Sequence, residues 1–361
     1  MKIAYLNIYY DPESAAGGHV HIYQFIKCAS RQGHEVWTWP IGHPDAHDLP
    51  PERWGKARVL RTCDAVIFRL EGGSPEIFKL FKPWFRWTLG KAKVVWEFNT
   101  VPEFGHVVGQ SQKQIDGFRQ TFRKYAKYCD LAVCVSERLS EYVRDQLGVK
   151  NVVTVPNGSD PELFYPERTP HSHVREAKGL NVIWMGGAGL KWANFELIRK
   201  AAKILWNERN SRDINVYVLG ANFEGLRDMS PNIHYLGKDK YENIPAWLAG
   251  MDVGLISYSP GASEYSSPLK LFDYMASGLA VVTSDQPQAS GILESLGYGE
   301  FIVQADDAPA LAERLRRLAA DERLLTAYQR DCRQLAMSQY KWSDTVAKVF
   351  HEIRQLKINE E

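Results

Sequence analysis

The sequence predicts an α/β protein built from two doubly wound, Rossmann-like domains facing a central cleft. Three observations carry that expectation. The chain has 361 residues, too many for one ordinary domain and comfortable for two. Two successive stretches alternate short apolar runs with amphipathic segments, the pattern of βαβ units and parallel strands. Between them the alternation breaks at Pro156-Asn157-Gly158, where Pro161, Pro166, Pro170 and the polar run His171-Ser172-His173 read as a linker.

In the first array, Lys2–Ile8 is a strand, Gly17-Gly18 open a helical pattern over His19–Arg31, Gly33 ends it, and Glu35–Trp39 is the next strand. Ala65–Phe68, Val94–Phe98 and Leu131–Val135 follow as strands, with the long helical pattern Gln112–Tyr128 between the last two. The second array has strands at Asn181–Met185, Ile214–Leu219, Ile233–Leu236, Val253–Ser257 and Leu279–Thr283. Its helices are Phe195–Asn207, Ile244–Ala249, Leu269–Ala276, Pro309–Ala319 and Glu322–Met337, and Ser343–Leu356 closes the chain. In open α/β sheets ligands lie beyond the carboxyl ends of the strands, so each domain brings one substrate to the cleft.

Composition narrows the function classes. Apolar residues make up 45% and charged residues 24%, a globular rather than a disordered profile. Lys+Arg number 44 against 43 Asp+Glu, so net charge gives no reason to expect a nucleic-acid partner. The 5 cysteines, Cys28, Cys63, Cys129, Cys134 and Cys332, show no C-x-x-C pair, and reduced thiols in a cytoplasm are the simplest reading. Met1–Asn7 runs straight into a strand, without the apolar core and cleavage site of a signal peptide, and no run of about 18 apolar residues suits a spanning helix.

The sharpest local signal is Ser266-Ser267-Pro268-Leu269-Lys270-Leu271-Phe272-Asp273-Tyr274-Met275-Ala276-Ser277-Gly278. Ser267 suits an N-cap, Pro268 the first helical position and Gly278 the C-terminal cap. A helix start exposes unpaired N–H groups with partial positive charge, which suits a diphosphate, and Lys270 adds a full charge in the first turn. Asp273 lies about 7.5 Å along the axis from Pro268 at ~1.5 Å per residue, the reach from a diphosphate to a ribose. The plain alternative is an ordinary capped helix with exposed Lys and Asp.

Several motifs in order resemble the retaining family 4 (group 1) glycosyltransferases of the GT-B fold, over nearly the whole chain. Gly17-Gly18 before a helix, with Gly33-His34-Glu35-Val36, is similar to their opening loop and helix. The run Val155-Pro156-Asn157-Gly158-Ser159-Asp160 to Phe164-Tyr165-Pro166 resembles their interdomain segment. Ile183–Gly187 with Lys191 looks like the first strand and loop of their donor domain, Ile233–Gly237 like the segment near the nucleotide base, and Pro268–Ala280 like their donor-binding helix. Trp342 and the last helix resemble the closing segment that crosses back. The domains implied are 1–166 plus 343–361 on the acceptor side and 167–342 for the donor.

What the resemblance implies is a hexosyltransferase using a nucleotide-diphosphate sugar as co-substrate, with no cofactor. Asp273 would hold the ribose, where the family usually has Glu. The family's sugar-contacting Glu falls at Tyr265, and the adjacent Glu264 is the candidate to replace it. The family's diphosphate Arg falls at Gly187 or Ala188, so Lys191 and Lys270, with Ser266, Ser267 and the Gly17-Gly18 backbone, would hold the diphosphate. Lys191 also reads as a solvated loop lysine. At the end of a strand, Glu97 and Asn99 stand where the family meets the reacting sugar: Asn99 to bond a donor hydroxyl, Glu97 to orient it or meet the acceptor. The alternative for Glu97 is a buried ion pair, and Glu103 is a weaker candidate nearby.

Charge sets the mechanism. Helix N–H groups and lysines stabilise the leaving diphosphate without a metal. Retention follows if the acceptor attacks from the leaving-group side and the diphosphate takes its proton; double displacement through Glu97 is less favoured. The pairs His19/His21, His43/His47 and His171/His173 lack a matching carboxylate or Cys cluster, so no metal is expected. Residues 77–93 interleave aromatics and cations and read either as a crossover helix or as a peripheral contact with the inner membrane face, suited to a lipid-linked acceptor. A glycan or small molecule is equally admissible. Competing readings are a nucleotide-sugar epimerase or phosphorylase on the same fold, and a non-catalytic sugar-nucleotide binder.

Overall fold

A computed structural model describes residues 1–6, 8, 11, 14, 16–39, 42–70, 89–107, 109–174, 178–187, 190–208, 213–221 and 230–358. The chain divides into two compact units: Met1–Asn157 with Tyr265–Ser267 and Trp342–Glu361, and Gly158–Glu264 with Pro268–Lys341.

The first unit runs β1 (Lys2–Leu6), α1 (Gly17–Arg31), β2 (Glu35–Trp39), β3 (His47–Asp48), α2 (Arg53–Leu60), β4 (Ala65–Leu70), β5 (Lys93–Phe98), α3 (Gln112–Tyr125), β6 (Leu131–Cys134), α4 (Glu137–Leu147) and β7 (Val152–Thr154). These strands form a parallel sheet in the order β3-β2-β1-β4-β5-β6-β7. The central strands β4 and β5 are buried along their whole length, which is why their sequences are mostly apolar rather than alternating, with Arg69, Lys93 and Glu97 the exceptions. Ser111 and Gln114 form a reciprocal capping box that starts α3.

The second unit runs β8 (Leu180–Gly187), α5 (Phe195–Asn207), β9 (Ile214–Ala221), β10 (Ile233–Gly237), α6 (Ile244–Leu248), β11 (Val253–Ile256), α7 (Leu269–Ala276), β12 (Ala280–Ser284), α8 (Pro287–Ser295), β13 (Ile302–Val303), α9 (Ala308–Ala320) and α10 (Glu322–Gln339). Its parallel sheet has the order β10-β9-β8-β11-β12-β13. The chain enters this unit at Gly158, where the sequence reading set the boundary at 166. Phe164 is wholly buried in the second core, and the Ser159 N–H donates to the Tyr340 carbonyl at 2.8 Å.

The last helix, α11 (Trp342–Ile358), packs in the first unit. Its Val346, Val349, Phe350 and Ile353 join Ile22, Phe25 and Ile26 of α1 in one apolar cluster. Among the described residues no helix is long and apolar enough to cross a membrane. Of the basic aromatic segment 77–93, residues 77–88 lie outside the described residues, as does Ala188.

Candidate functional site

Each unit holds its own set of candidate groups. In the first, α1 opens at Gly17 behind Ala16, which provides no side-chain cap to the first turn. One turn further, His21 turns into the protein and is buried. Its Nε2 lies 2.8 Å from Glu97 Oε1 and its Nδ1 2.7 Å from Asn157 Oδ1. The other oxygen of Glu97 accepts from the Tyr5 hydroxyl at 2.6 Å and from Arg69 at 3.0 Å.

Glu97 is thus a buried counter-ion. Burial alone would raise its carboxyl, but His21, then Arg69 and Tyr5, outweigh it and hold the group at about 2. The buried ion pair that the sequence offers as the alternative for Glu97 is present here. A carboxylate taken out of water needs donors, and three side chains supply them. Glu103 is likewise engaged, accepting from Arg119 and from the Tyr142 hydroxyl. Asn99, just past the end of β5, is different: among the described residues its buried Nδ2 has no hydrogen-bond partner.

Asn157 continues the network. Its Nδ2 donates to the Ser267 carbonyl at 2.7 Å and its backbone N–H to the Ser267 hydroxyl at 3.2 Å. Ser267 is therefore not the N-cap that the sequence suggests, because Asn157 occupies its hydroxyl. The cap position falls to Pro268 in extended conformation (φ −66, ψ 111), which has no side-chain donor or acceptor. Tyr265, at the place of the family's Glu, accepts from the Ser136 hydroxyl through its carbonyl, and its ring meets Tyr142 edge-on. Ser266 is half-buried in the same short segment.

In the second unit, α7 begins with uncapped N–H groups. Lys270, in its first turn, donates to the Met185 carbonyl at 2.6 Å, with the rings of Trp184 and Tyr258 at 5.3 and 5.1 Å. No carboxylate pairs with it among the described residues, and burial pushes its ammonium down to about 8. The Tyr274 hydroxyl accepts from the Met185 N–H at 2.9 Å, so α7 holds both backbone groups at the end of β8. That end continues into Gly186 and Gly187, and Gly186 must be small because a Cβ there would meet the Trp184 ring at 2.7 Å.

Asp273, one turn on, is buried and accepts from the Ser159 hydroxyl at 2.8 Å. Burial first, then the charge of Asp160, push its carboxyl up to about 8. Lys191 is exposed and joins the Ser259 hydroxyl only through its carbonyl. Glu264 is half-buried. The structure therefore gathers Lys270, Met185 and Tyr274 at one end of the second sheet, ties Asp273 to Ser159, and leaves Lys191 outside both groups. His171 and His173 stack together and His171 lies on the Trp247 ring at 3.6 Å, an aromatic packing role. Among the described residues no three His, Cys, Asp or Glu side chains cluster as metal ligands.

Sequence reasoning overlooked Tyr5 and Arg69. The available signal was a cation, Arg69, and an acid, Glu97, each near the end of a mostly apolar strand.

Two parallel-sheet α/β units of this kind match the GT-B fold, and each half of the chain matches a glycosyltransferase family model. The Glycosyltransferase Family 4 profile matches residues 15–163 and the Glycosyl transferases group 1 profile residues 179–321. The chain is 28% identical over 182 residues to TuaH of Bacillus subtilis, named for a glycosyltransferase function in teichuronic acid biosynthesis. That match covers 47% of this chain and 44% of TuaH, less than half of the relative's length. In fold the chain is similar to sucrose-phosphate synthase from Thermosynechococcus elongatus, with a TM-score of 0.68 at 16% identity over 99% of both chains. It is also similar to Anabaena HepE in complex with UDP and glucose, with a TM-score of 0.70 at 14% identity over 98% of this chain and 100% of that one.

Proposed function

We propose that the protein transfers a hexose from a nucleotide-diphosphate sugar to an acceptor with retention of anomeric configuration and without a metal. The observation that carries this reading is the opening of α7. Its N–H groups have no side-chain cap, and Lys270 in the first turn is a cation without a carboxylate partner among the described residues. Such an opening suits a departing pyrophosphate. In the second unit Lys191 adds to the diphosphate contacts and Asp273 takes the ribose with Ser159 setting its rotamer; in the first unit Ser266, Ser267 and the Gly17-Gly18 backbone are the candidate phosphate groups, and Asn99 offers an amide without a partner among the described residues to a sugar hydroxyl. Glu264 is the candidate for the sugar contact that Tyr265 does not supply.

In the reaction, the bond from the anomeric carbon to the diphosphate oxygen breaks while the acceptor oxygen bonds the same carbon on the same face. The acceptor proton passes to the leaving diphosphate. Engagement of Glu97 by three donors, which lowers its nucleophilicity, favours this course over a covalent intermediate. A UDP sugar is the first donor to test, since the HepE structures hold UDP-glucose or its parts. The name of TuaH favours a polysaccharide or glycoconjugate acceptor, and a lipid-linked one would suit peripheral membrane contact through 77–93.

A thermal-shift panel of UDP, GDP and their sugars tests the donor. Calorimetry on Lys270→Ala and Asp273→Ala then tests the site, with weaker nucleotide binding expected in both; unchanged affinity in both removes the assignment.

A further inference from the structure

Sugar transfer gives no task to Glu97, His21 and Asn157, which lead in that order to Ser267 in the buried polar chain of the first unit. We infer that His21 is a positioning residue that donates from both ring nitrogens, and so fixes the Asn157 amide and, through it, the backbone of Ser267. The effect on nucleotide binding rests on the proposed donor site.

The amide orientation comes first. The Ser267 carbonyl can only accept, so the group of Asn157 that faces it at 2.7 Å is the NH2. The oxygen of the same amide must then face His21 Nδ1, at 2.7 Å, and that nitrogen carries hydrogen. On the other side of the ring, Nε2 faces a Glu97 oxygen at 2.8 Å. Glu97 is held ionised by its neighbours and accepts only. Both ring nitrogens thus meet acceptors, and only the doubly protonated imidazole satisfies both.

The surroundings hold the ring in place. Arg69 from β4 and Tyr5 from β1 hold the far oxygen of Glu97, and Trp342 of α11 stands edge-on to the imidazole with centroids 5.1 Å apart. If the ring carried a single hydrogen, either the carboxylate or the amide oxygen would face a lone pair. Flipping Asn157 would relieve the second clash but set its oxygen against the Ser267 carbonyl. The state of His21 and the anchoring of Ser267 are therefore one linked arrangement. The residue after Ser267 is Pro268, from which α7 starts.

Nitrogen-15 spectra of the full chain with labelled histidine, the His21 signals assigned with His21→Gln, test the first half. Two protonated ring nitrogens at neutral pH are expected, and one bare nitrogen overturns the inference. Calorimetry with UDP and GDP tests the second half. His21→Phe, checked by circular dichroism for a retained fold, should bind about tenfold more weakly, the equivalent of one charge-assisted hydrogen bond. Asn157→Asp, which sets an oxygen against the Ser267 carbonyl, should show a similar loss. Folded variants that bind as the wild type does refute the positioning role. If the wild-type protein binds neither nucleotide, the donor reading fails, and the ring-nitrogen spectrum alone decides the state of His21.

Discussion

Glu97 in the first unit and Asp273 in the second are both buried to 3% exposure, yet their carboxyl groups go opposite ways. Glu97 has His21, Arg69 and Tyr5 around it and is held at about 2. Asp273 has the Ser159 hydroxyl and the nearby charge of Asp160, and is pushed up to about 8. Burial is the same, so the neighbours decide. A carboxylate with three donors, two of them cationic, is a fixed piece of the scaffold. One with a single neutral donor retains its proton near neutrality and stays responsive to whatever approaches it. The first unit thus uses its acid to hold side chains in place, and the second keeps its acid poised.

The largest expected effect tests the fixed partner. Glu97→Ala leaves Arg69 and His21 buried without their shared counter-ion, and removal of one member of a buried ion pair costs about 3–5 kcal/mol. Denaturant unfolding should show that loss with an unchanged slope. A loss below about 1 kcal/mol would mean that the network contributes little, and the contrast with Asp273 would collapse.

The poised partner predicts a smaller effect with its own pH signature. The unfolded chain releases the Asp273 proton near pH ~4, whereas the folded protein keeps it up to about 8. The contribution of Asp273 to stability is therefore fully present below about pH 4 and is lost as pH rises through about 8. Asn imitates the protonated form throughout. Asp273→Asn should match the wild type near pH 4 and exceed its stability by an amount that grows as pH rises to about 8 and then levels off, read from unfolding midpoints. A difference that is independent of pH would show that Asp273 is ionised in the folded state.

The sequence made some of this visible and hid the rest for physical reasons. Helices Phe195–Asn207 and Leu269–Ala276 match their expected bounds, because periodicity and local punctuation are contained within them. Helix α4 was overlooked although its signals are present: Ser136 caps Leu139 N–H, and Gly148 ends the helix at φ 73. The α7 opening could be read as an anion site because its residues are neighbours in the chain. The network around Glu97 could not, since its contacts join residues 28 and 136 positions apart. Ser267 shows the same limit in reverse. Local rules make it an N-cap, and a distant Asn157 takes its hydroxyl.

The smallest expected effect concerns Lys270. With no carboxylate partner among the described residues, it is held at about 8 by burial. A bound diphosphate supplies the missing negative charge and raises it again, so binding in this range takes up a proton. Affinity for UDP or GDP should therefore fall as pH rises through 8, by about tenfold between pH ~7 and ~9. Calorimetry in buffers of different ionisation enthalpy should detect the uptake. Lys270→Arg keeps its charge across the range and should lose the pH dependence while retaining some affinity, although its planar fork does not reproduce a point charge over the Met185 carbonyl. If wild type and Lys270→Arg show the same flat profile, the ammonium of Lys270 does not meet the phosphate, and α7 would have to hold it with its N–H groups alone.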